Sequence, residues 1–284
     1  MRGQHFIGLA AAFTGLSGML HAQTAQSPDR ALRFGAPWQA EIFSTFDGYS
    51  AADRAKKEPW ELAHRCGGSL IAPDWVLSAA HCVKQDNIPL YRVRLGARDL
   101  DFGEGAIYRI DRIVRHARYV DDDDNEKHDD IMLIHIVADD QTSLDDTVKI
   151  EPIRLADDPV DIDAAVTVTG WGKTATGADG RASAALLHVD MTVRDCSAIE
   201  VYRTRLTEAM LCAAGNGGGD SCQGDSGGPL ILTEGEPLLV GIVGWGDGCG
   251  NESLPGVYTR IDRNHYRDWI ERAMALDPSR NRTD

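Results

Sequence analysis

The stretch Gly219-Asp220-Ser221-Cys222-Gln223-Gly224-Asp225-Ser226-Gly227-Gly228-Pro229 decides how the rest of the chain is read. A serine stands in a run of glycines, with one carboxylate immediately before it and another six positions upstream. Glycines beside a nucleophile let the backbone adopt φ > 0 and let consecutive N–H groups turn inward together. A bare glycine-rich loop is usually just a turn. Here the pattern is long, and Cys222 can anchor it covalently, so it reads as a catalytic loop.

A serine hydroxyl is a poor nucleophile near neutral pH and needs a base to take its proton. Of nine histidines, the one in Leu77-Ser78-Ala79-Ala80-His81-Cys82 follows a strand-like run and is pinned by a neighbouring cysteine. Such a base needs a buried carboxylate to fix its tautomer and stabilise the imidazolium. Asp130 fits, because it opens the apolar run Ile131-Met132-Leu133-Ile134. Asp129 competes with it, and alternation along a strand lets only one of the two face His81.

A chain of 284 residues with 43% hydrophobic content can build one or two cores. Arg2 is followed by an uncharged apolar run from Phe6 to Leu20 and then by His21-Ala22-Gln23-Thr24-Ala25. This describes a secretory signal peptide over residues 1–22, cut after Ala22 or Ala25. About 15 apolar residues fall short of the ~20 that span a bilayer. The expected location is therefore secreted, extracellular or periplasmic, with no membrane association. Six cysteines, all beyond this segment and none in a close CxxC pair, read as three disulfides. The net charge is −15, with 28 basic residues against 44 acidic once Arg2 is removed. That balance excludes nucleic acid as a natural partner and favours cationic substrates.

Short runs rich in Val, Ile, Leu and Tyr recur along the chain, closely followed by turn residues. Examples are Ser69–Ile71, Trp75–Ser78, Tyr91–Leu95, Ile131–Ile136, Val166–Thr169, Leu238–Val243 and Gly256–Arg260. They predict an all-β sandwich or barrel. One helix is expected, over Asn264 to Ala275, where Tyr266, Trp269, Ile270 and Ala273 share a stripe. Two segments read as exposed insertions, Asp47–His64 and the acidic Val120–Asp129. Residues 23–33 read as a linker or short propeptide and 277–284 as a frayed polar tail.

With these residues in place, the chain resembles the trypsin-like serine proteases of the chymotrypsin superfamily. The resemblance rests on Pro37-Trp38-Gln39, Cys66-Gly67-Gly68-Ser69-Leu70-Ile71, Ala79-Ala80-His81-Cys82 and Asp130-Ile131-Met132-Leu133. Gly170-Trp171-Gly172, Gly224-Asp225-Ser226-Gly227-Gly228-Pro229 and Gly256-Val257-Tyr258-Thr259-Arg260 extend it. It implies one protease domain over residues 34–276, built of two packed six-stranded antiparallel Greek-key β-barrels with a C-terminal α-helix and a division near 150–165. It implies a triad of His81, Asp130 and Ser226, with the backbone N–H groups of Gly224 and Ser226 as the oxyanion hole. Asp220 would lie at the floor of the specificity pocket beside Ser221, with Gly246 and Gly256 on its walls. Trp245 and Gly246 would pair with an extended substrate. The implied disulfides are Cys66–Cys82, Cys196–Cys212 and Cys222–Cys249. The implied substrates are proteins or peptides cut after Arg or Lys, with a protein inhibitor as a possible further partner. A monomer is expected, with no cofactor and no metal.

The family's activation step frees an Ile or Val amino terminus that pairs with the aspartate before the serine, here Asp225. The expected Ile-Val-Gly-Gly ahead of Pro37 is absent. Cleavage after Arg30 or Arg33 would expose Ala31 or Phe34 instead. A latent or protease-like binding protein with little turnover is the alternative reading on that ground. In the loop Gly96–Glu104, where some relatives bind calcium, Ala97 stands where an acidic ligand is expected, so no such site is predicted. The Asp121–Asp124 run reads as a solvated loop at the rim of the cleft. Gly224-Asp225-Ser226-Gly227-Gly228 also satisfies the nucleophile elbow of α/β-hydrolases. The all-β pattern upstream excludes that fold.

Overall fold

The computed structural model describes residues 35–276, apart from 121–127, 139–141, 143–147, 176–179, 216, 252 and 263. The expected signal peptide and linker, the Asp121–Asp124 run and the polar tail lie outside the described residues.

The first half contains β1 (Gln39–Ser44), β2 (His64–Ala72), β3 (Trp75–Ser78), β4 (Tyr91–Leu95), β5 (Ala106–Arg115) and β6 (Met132–Ala138). They close into a barrel in the order β1-β2-β3-β6-β5-β4. Three consecutive strands pair in sequence, and β4 then returns to lie beside β1, which is a Greek key. The second half contains β7 (Arg154–Leu155), β8 (Ala165–Gly170), β9 (Leu187–Arg194), β10 (Met210–Ala214), β11 (Pro229–Leu232), β12 (Leu238–Trp245) and β13 (Gly256–Arg260). It repeats the plan: β8, β9 and β10 pair in sequence, and β11 returns beside β8. Pairing of β11 with β12 closes six strands, all antiparallel, while the two-residue β7 joins the edge of β12 in parallel.

These sequences form barrel strands because their apolar residues have two packed surfaces to fill. Met132, Leu133 and Ile134 of β6 are all fully buried, so that strand reads as a continuous apolar run. β9 alternates, with Val189, Met191 and Val193 inward. One core cluster joins Ile42, Val76 and Leu133 of the first barrel to Ile231, Leu239 and Ile242 of the second.

A short C-terminal helix, α3 (Arg267–Ala275), buries Ile270 fully and half-buries Trp269 and Ala273. It starts three residues later than its apolar stripe suggests, because Asp262 Oδ1 accepts the N–H groups of Asn264 and His265 and holds them in a turn. The segment after β1 differs more from expectation. Inside the expected insertion lie two helices, α1 (Ala51–Arg54) and α2 (Pro59–Ala63), here numbered with α3 in chain order. Ser50 caps α1 through a reciprocal box with Asp53, and Pro59 opens α2. Helices of four and five residues carry too few turns to show a periodicity.

The barrels meet at the glycine-rich loop. The Gly67 N–H of β2 donates to the Ser226 carbonyl at 2.8 Å, and the Gly227 N–H to the Val243 carbonyl at 2.8 Å. Gly227 has φ +77°, and a Cβ there would collide with the Ser78 hydroxyl and lie 2.7 Å from the Gly67 carbonyl oxygen. Gly227→Ala is therefore expected to destabilise the protein by about 1–3 kcal/mol, measured by urea denaturation; an unchanged midpoint would contradict the packing described.

Candidate functional site

His81 sits in a single 3-10 turn, Ala80–Cys82, immediately after β3. Its Nδ1 lies 2.6 Å from Asp130 Oδ2, and its backbone N–H donates to Asp130 Oδ1 at 3.0 Å. Asp130 is 1% exposed. Because the carboxylate accepts at Nδ1, the ring carries its proton there and leaves Nε2 as the basic nitrogen. Thr259 of β13 donates to the Asp130 carbonyl at 3.2 Å, so the second barrel steadies a residue of the first.

The choice between Asp129 and Asp130 has a different cause from strand alternation. Asp129 precedes the strand and has φ +51°. Its carboxylate is turned away and engaged by the Tyr266 hydroxyl at 2.9 Å, Arg118 Nη2 at 2.8 Å and His116 Nδ1 at 3.3 Å. Burial pushes His116 below the usual imidazole range, against the pull of Asp129. Tyr266 leads into α3, so the C-terminal helix helps set the kink that directs Asp130 to His81.

Ser226 is brought near this pair through its backbone. Its carbonyl is held by Gly67, whose neighbour Cys66 is disulfide-bonded to Cys82, the residue after His81. Two further disulfides, Cys196–Cys212 and Cys222–Cys249, tie down the second barrel and the glycine-rich loop. Around Ser226 the peptide planes are fixed by their carbonyls. Gln223 O accepts from Lys173 N at 2.9 Å, and Asp225 O from Gly228 N at 2.8 Å. In a trans peptide the following N–H points the opposite way. The N–H groups of Gly224 and Ser226 therefore face away from these bonds, and no hydrogen bond engages either among the described residues.

Asp225 accepts Gly172 N at 2.8 Å and Cys222 N at 2.9 Å. Loss of water raises its carboxyl, while these two donors and the charge of nearby His64 oppose the rise. The Gly170-Trp171-Gly172 motif has a steric meaning here: a Cβ at Gly172 would lie 2.5 Å from Asp225 Oδ2, and one at Gly170 would collide with Oδ1.

A cleft beside Ser226 is lined by Asp220, Ser221, Trp245, Gly246, Cys249 and Gly256, among others. Asp220 is 5% exposed and accepts N–H groups of Ser221 at 2.8 Å and Gly250 at 3.2 Å. Burial pushes its carboxyl up to about 7, although both donors pull it down. A Cβ at Gly256 would stand 2.7 Å from Asp220 Oδ1 and close off the carboxylate. Ser221 Oγ lies 3.0 Å from the Tyr258 hydroxyl. Trp245 is flanked by the Tyr202 ring at 5.2 Å and by the Arg205 guanidinium at 4.1 Å, which in turn pairs with Asp247.

Among the described residues the one close group of metal-ligating side chains is Cys66, His81 and Cys82. Both sulfurs are bonded to each other, so no thiolate is offered to an ion. In the Gly96–Glu104 loop, Glu104 Oε2 accepts the backbone N–H groups of Arg98 and Asp99 at 3.0 and 3.1 Å.

The Trypsin family model matches residues 33–270. The chain belongs to the trypsin family. It is 37% identical over 229 residues to kallikrein-8 of Homo sapiens, covering 76% of this chain and 82% of that protein. It is 37% identical over 237 residues to a trypsin of Squalus acanthias, covering 80% and 95%. A solved structure of neuropsin, a serine protease expressed in the limbic system of mouse brain, superposes with a TM-score of 0.68 at 33% identity over 86% of this chain and 96% of that one. The protein is thus a trypsin-like serine endopeptidase.

In this trypsin-family chain, sequence reasoning missed Thr259, the Asp129–Tyr266 contact and the whole surroundings of His64. Thr259 lay within a quoted motif, but a strand threonine carries no signal of its partner. The raised carboxyl of Asp220 also has a cost. Between the ordinary aspartate range near 3.8 and about 7 the folded state holds a proton that the unfolded state has lost, so stability falls as pH rises through that window. Asp220→Asn is expected to raise the melting temperature at pH 8 but not at pH 3.5, as scanning calorimetry at the two pH values would show.

Proposed function

We propose that the protein is a secreted endopeptidase that cuts peptide bonds after Arg or Lys through Ser226, His81 and Asp130. The observation that carries this reading is the buried His81–Asp130 pair at 2.6 Å, beside a serine whose loop leaves two N–H groups unengaged. Ser226 attacks the scissile carbonyl while His81 Nε2 takes its proton, then delivers it to the leaving amine. Asp130 holds the ring and stabilises the imidazolium as it forms. The N–H groups of Gly224 and Ser226 meet the oxyanion, each such donor being worth ~10²–10³ in rate. Loss of the amine leaves an acyl-enzyme at Ser226, which water then hydrolyses by the same proton route in reverse.

Asp220 supports the preference for Arg or Lys. A carboxylate buried with two backbone donors and, among the described residues, no side-chain cation is completed by a substrate guanidinium or ammonium. Gly256 and Gly246 leave room for that side chain, and Trp245 with Gly246 offers backbone for an added strand. The signal-like start of the chain and the three disulfides support secretion.

Matched Arg, Lys, Phe and Ala reporter peptides test the reading. The Arg and Lys peptides are expected to be cleaved alone, and Ser226→Ala to abolish cleavage. Asp130→Asn is expected to lower kcat by roughly 10⁴. Asp220→Ser is expected to lower kcat/KM for Arg peptides by about 10²–10³, the equivalent of leaving a substrate cation unpaired. Equal cleavage of Phe and Arg peptides would remove the specificity assignment while leaving the mechanism intact. Benzamidine, a cation that fills the pocket without chemistry, is expected to bind progressively more weakly below about pH 7 as Asp220 protonates. A flat titration would contradict that role.

A further inference from the structure

The mechanism gives no task to the insertion between β1 and β2, yet that insertion is a built element. Ser50 and Asp53 cap α1, the Tyr49 hydroxyl donates to the Leu62 carbonyl at 2.7 Å, and Leu62 of α2 is buried. Arg65 of β2 stacks its guanidinium 5.8 Å from the Tyr49 ring centroid and donates to the Leu62 carbonyl at 2.6 Å. These contacts fasten the insertion to the first barrel.

Its other side reaches the second barrel. Glu61 of α2 has a side chain only 7% exposed, and its Oε2 accepts from Arg181 Nη2 at 3.0 Å. The same Nη2 donates to the Lys56 carbonyl, between α1 and α2, at 3.3 Å. Trp60 packs against a small apolar cluster that contains Leu100, Trp171 and Leu186. A polar grip and an apolar one therefore meet the same stretch of chain, between β8 and β9.

That stretch is a hairpin. Lys173 pairs with Ala182, Thr174 N donates to the Arg181 carbonyl at 3.0 Å, and Ser183 N donates to the Trp171 carbonyl at 3.2 Å. Its first strand also holds the glycine-rich loop, through Gly172 N to Asp225 Oδ1 and Lys173 N to the Gln223 carbonyl. The two bonds bracket Gly224. A hairpin of few rungs opens locally at small cost, and contacts on its outer side lower the open fraction. Only the closed hairpin grips Gln223 and Asp225. The insertion thus touches neither Ser226 nor its neighbours and still bears on how they are held.

We propose that the α1–α2 insertion is a strap between the barrels, in which Trp60 and Glu61 are positioning residues that order the hairpin of residues 171–175 and 180–186 and, through it, the loop 223–226. The inference deepens the endopeptidase reading and rests on it for Ser226 as the nucleophile.

The test compares Glu61→Gln, Arg181→Gln, their double variant and Trp60→Ala with the unaltered full chain. Hydrogen exchange read by mass spectrometry follows the hairpin and residues 219–228, with β6 as the internal reference. The readouts at the site are kcat and KM on an Arg reporter peptide, and inhibition by a matched peptide aldehyde and peptide alcohol. The aldehyde carbon bonds to Ser226 Oγ, the serine proton passes to His81, and the resulting oxyanion needs the N–H groups of Gly224 and Ser226. The alcohol fills the same cleft and makes no such adduct.

Exchange is expected to quicken about threefold or more in the hairpin and in 219–228, and to stay unchanged in β6. The expected fall in kcat is about threefold in Glu61→Gln and about tenfold in Trp60→Ala, a fraction of the ~10²–10³ that one oxyanion donor supplies. KM should stay within about twofold. The aldehyde should weaken in step with kcat and the alcohol should not change. In the Arg181→Gln background, Glu61→Gln should add nothing, because the two act as one pair.

Faster exchange confined to the insertion, with 219–228 unchanged, would overturn the proposal. So would unchanged kcat and aldehyde affinity, or equal weakening of aldehyde and alcohol, which marks a general loosening of the cleft. If Trp60→Ala does not fold, the Glu61–Arg181 cycle carries the test alone. If the unaltered protein cleaves no reporter, the endopeptidase reading fails, and exchange of 219–228 in Glu61→Gln still decides the strap.

Discussion

A carboxylate sealed from water at 1% exposure beside His81 is the constraint on which the rest of the structure depends. Burying an ionised group costs several kcal/mol unless it is paired and hydrogen-bonded. Total stability is itself only about 5–15 kcal/mol. Asp130 meets that cost with both nitrogens that His81 offers it, backbone and ring. Those two bonds fix the side chain and its tautomer together. A histidine held this tightly at Nδ1 keeps one nitrogen free for proton transfer.

Three of the other enclosed carboxylates are met in different ways, and the differences follow their surroundings. Asp225 takes two backbone N–H groups and the nearby charge of His64. Glu41 takes His64 and Arg94. Asp220 has two backbone N–H groups and opens onto a cleft, with its carboxyl pushed up to about 7. It is the least compensated of the four and lines the cleft beside Ser226.

The two barrels hold each other's working parts. β2 grips the Ser226 carbonyl, and β13 grips the Asp130 carbonyl. Neither half orders the candidate site alone, which lies at the seam. The covalent link from Cys66 to Cys82, within the first barrel, ties the strand that grips the Ser226 carbonyl to the turn that carries His81. The C-terminal helix contributes at a distance, through the Tyr266 hydroxyl on Asp129.

Much of this was legible along the chain. The all-β class followed from runs such as Trp75–Ser78 and Tyr91–Leu95, whose bounds the strands reproduce, because alternating or continuous apolar runs are local properties. The glycine-rich loop announced a strained backbone, since Gly227 takes a φ that other residues resist. The short helices after β1 did not show, because four or five residues reveal no period. What only the tertiary structure decided was direction. Asp130 rather than Asp129 reaches His81 because Asp129 adopts φ +51° under the pull of Arg118 and of Tyr266, 137 positions away in sequence. His64 meets Gly224 across a separation of 160 residues. Sequence determines which groups are present and the local backbone they prefer. Which carbonyl a histidine holds is settled by closure of the barrels, because a hydrogen bond is directional and its partner is brought by the fold.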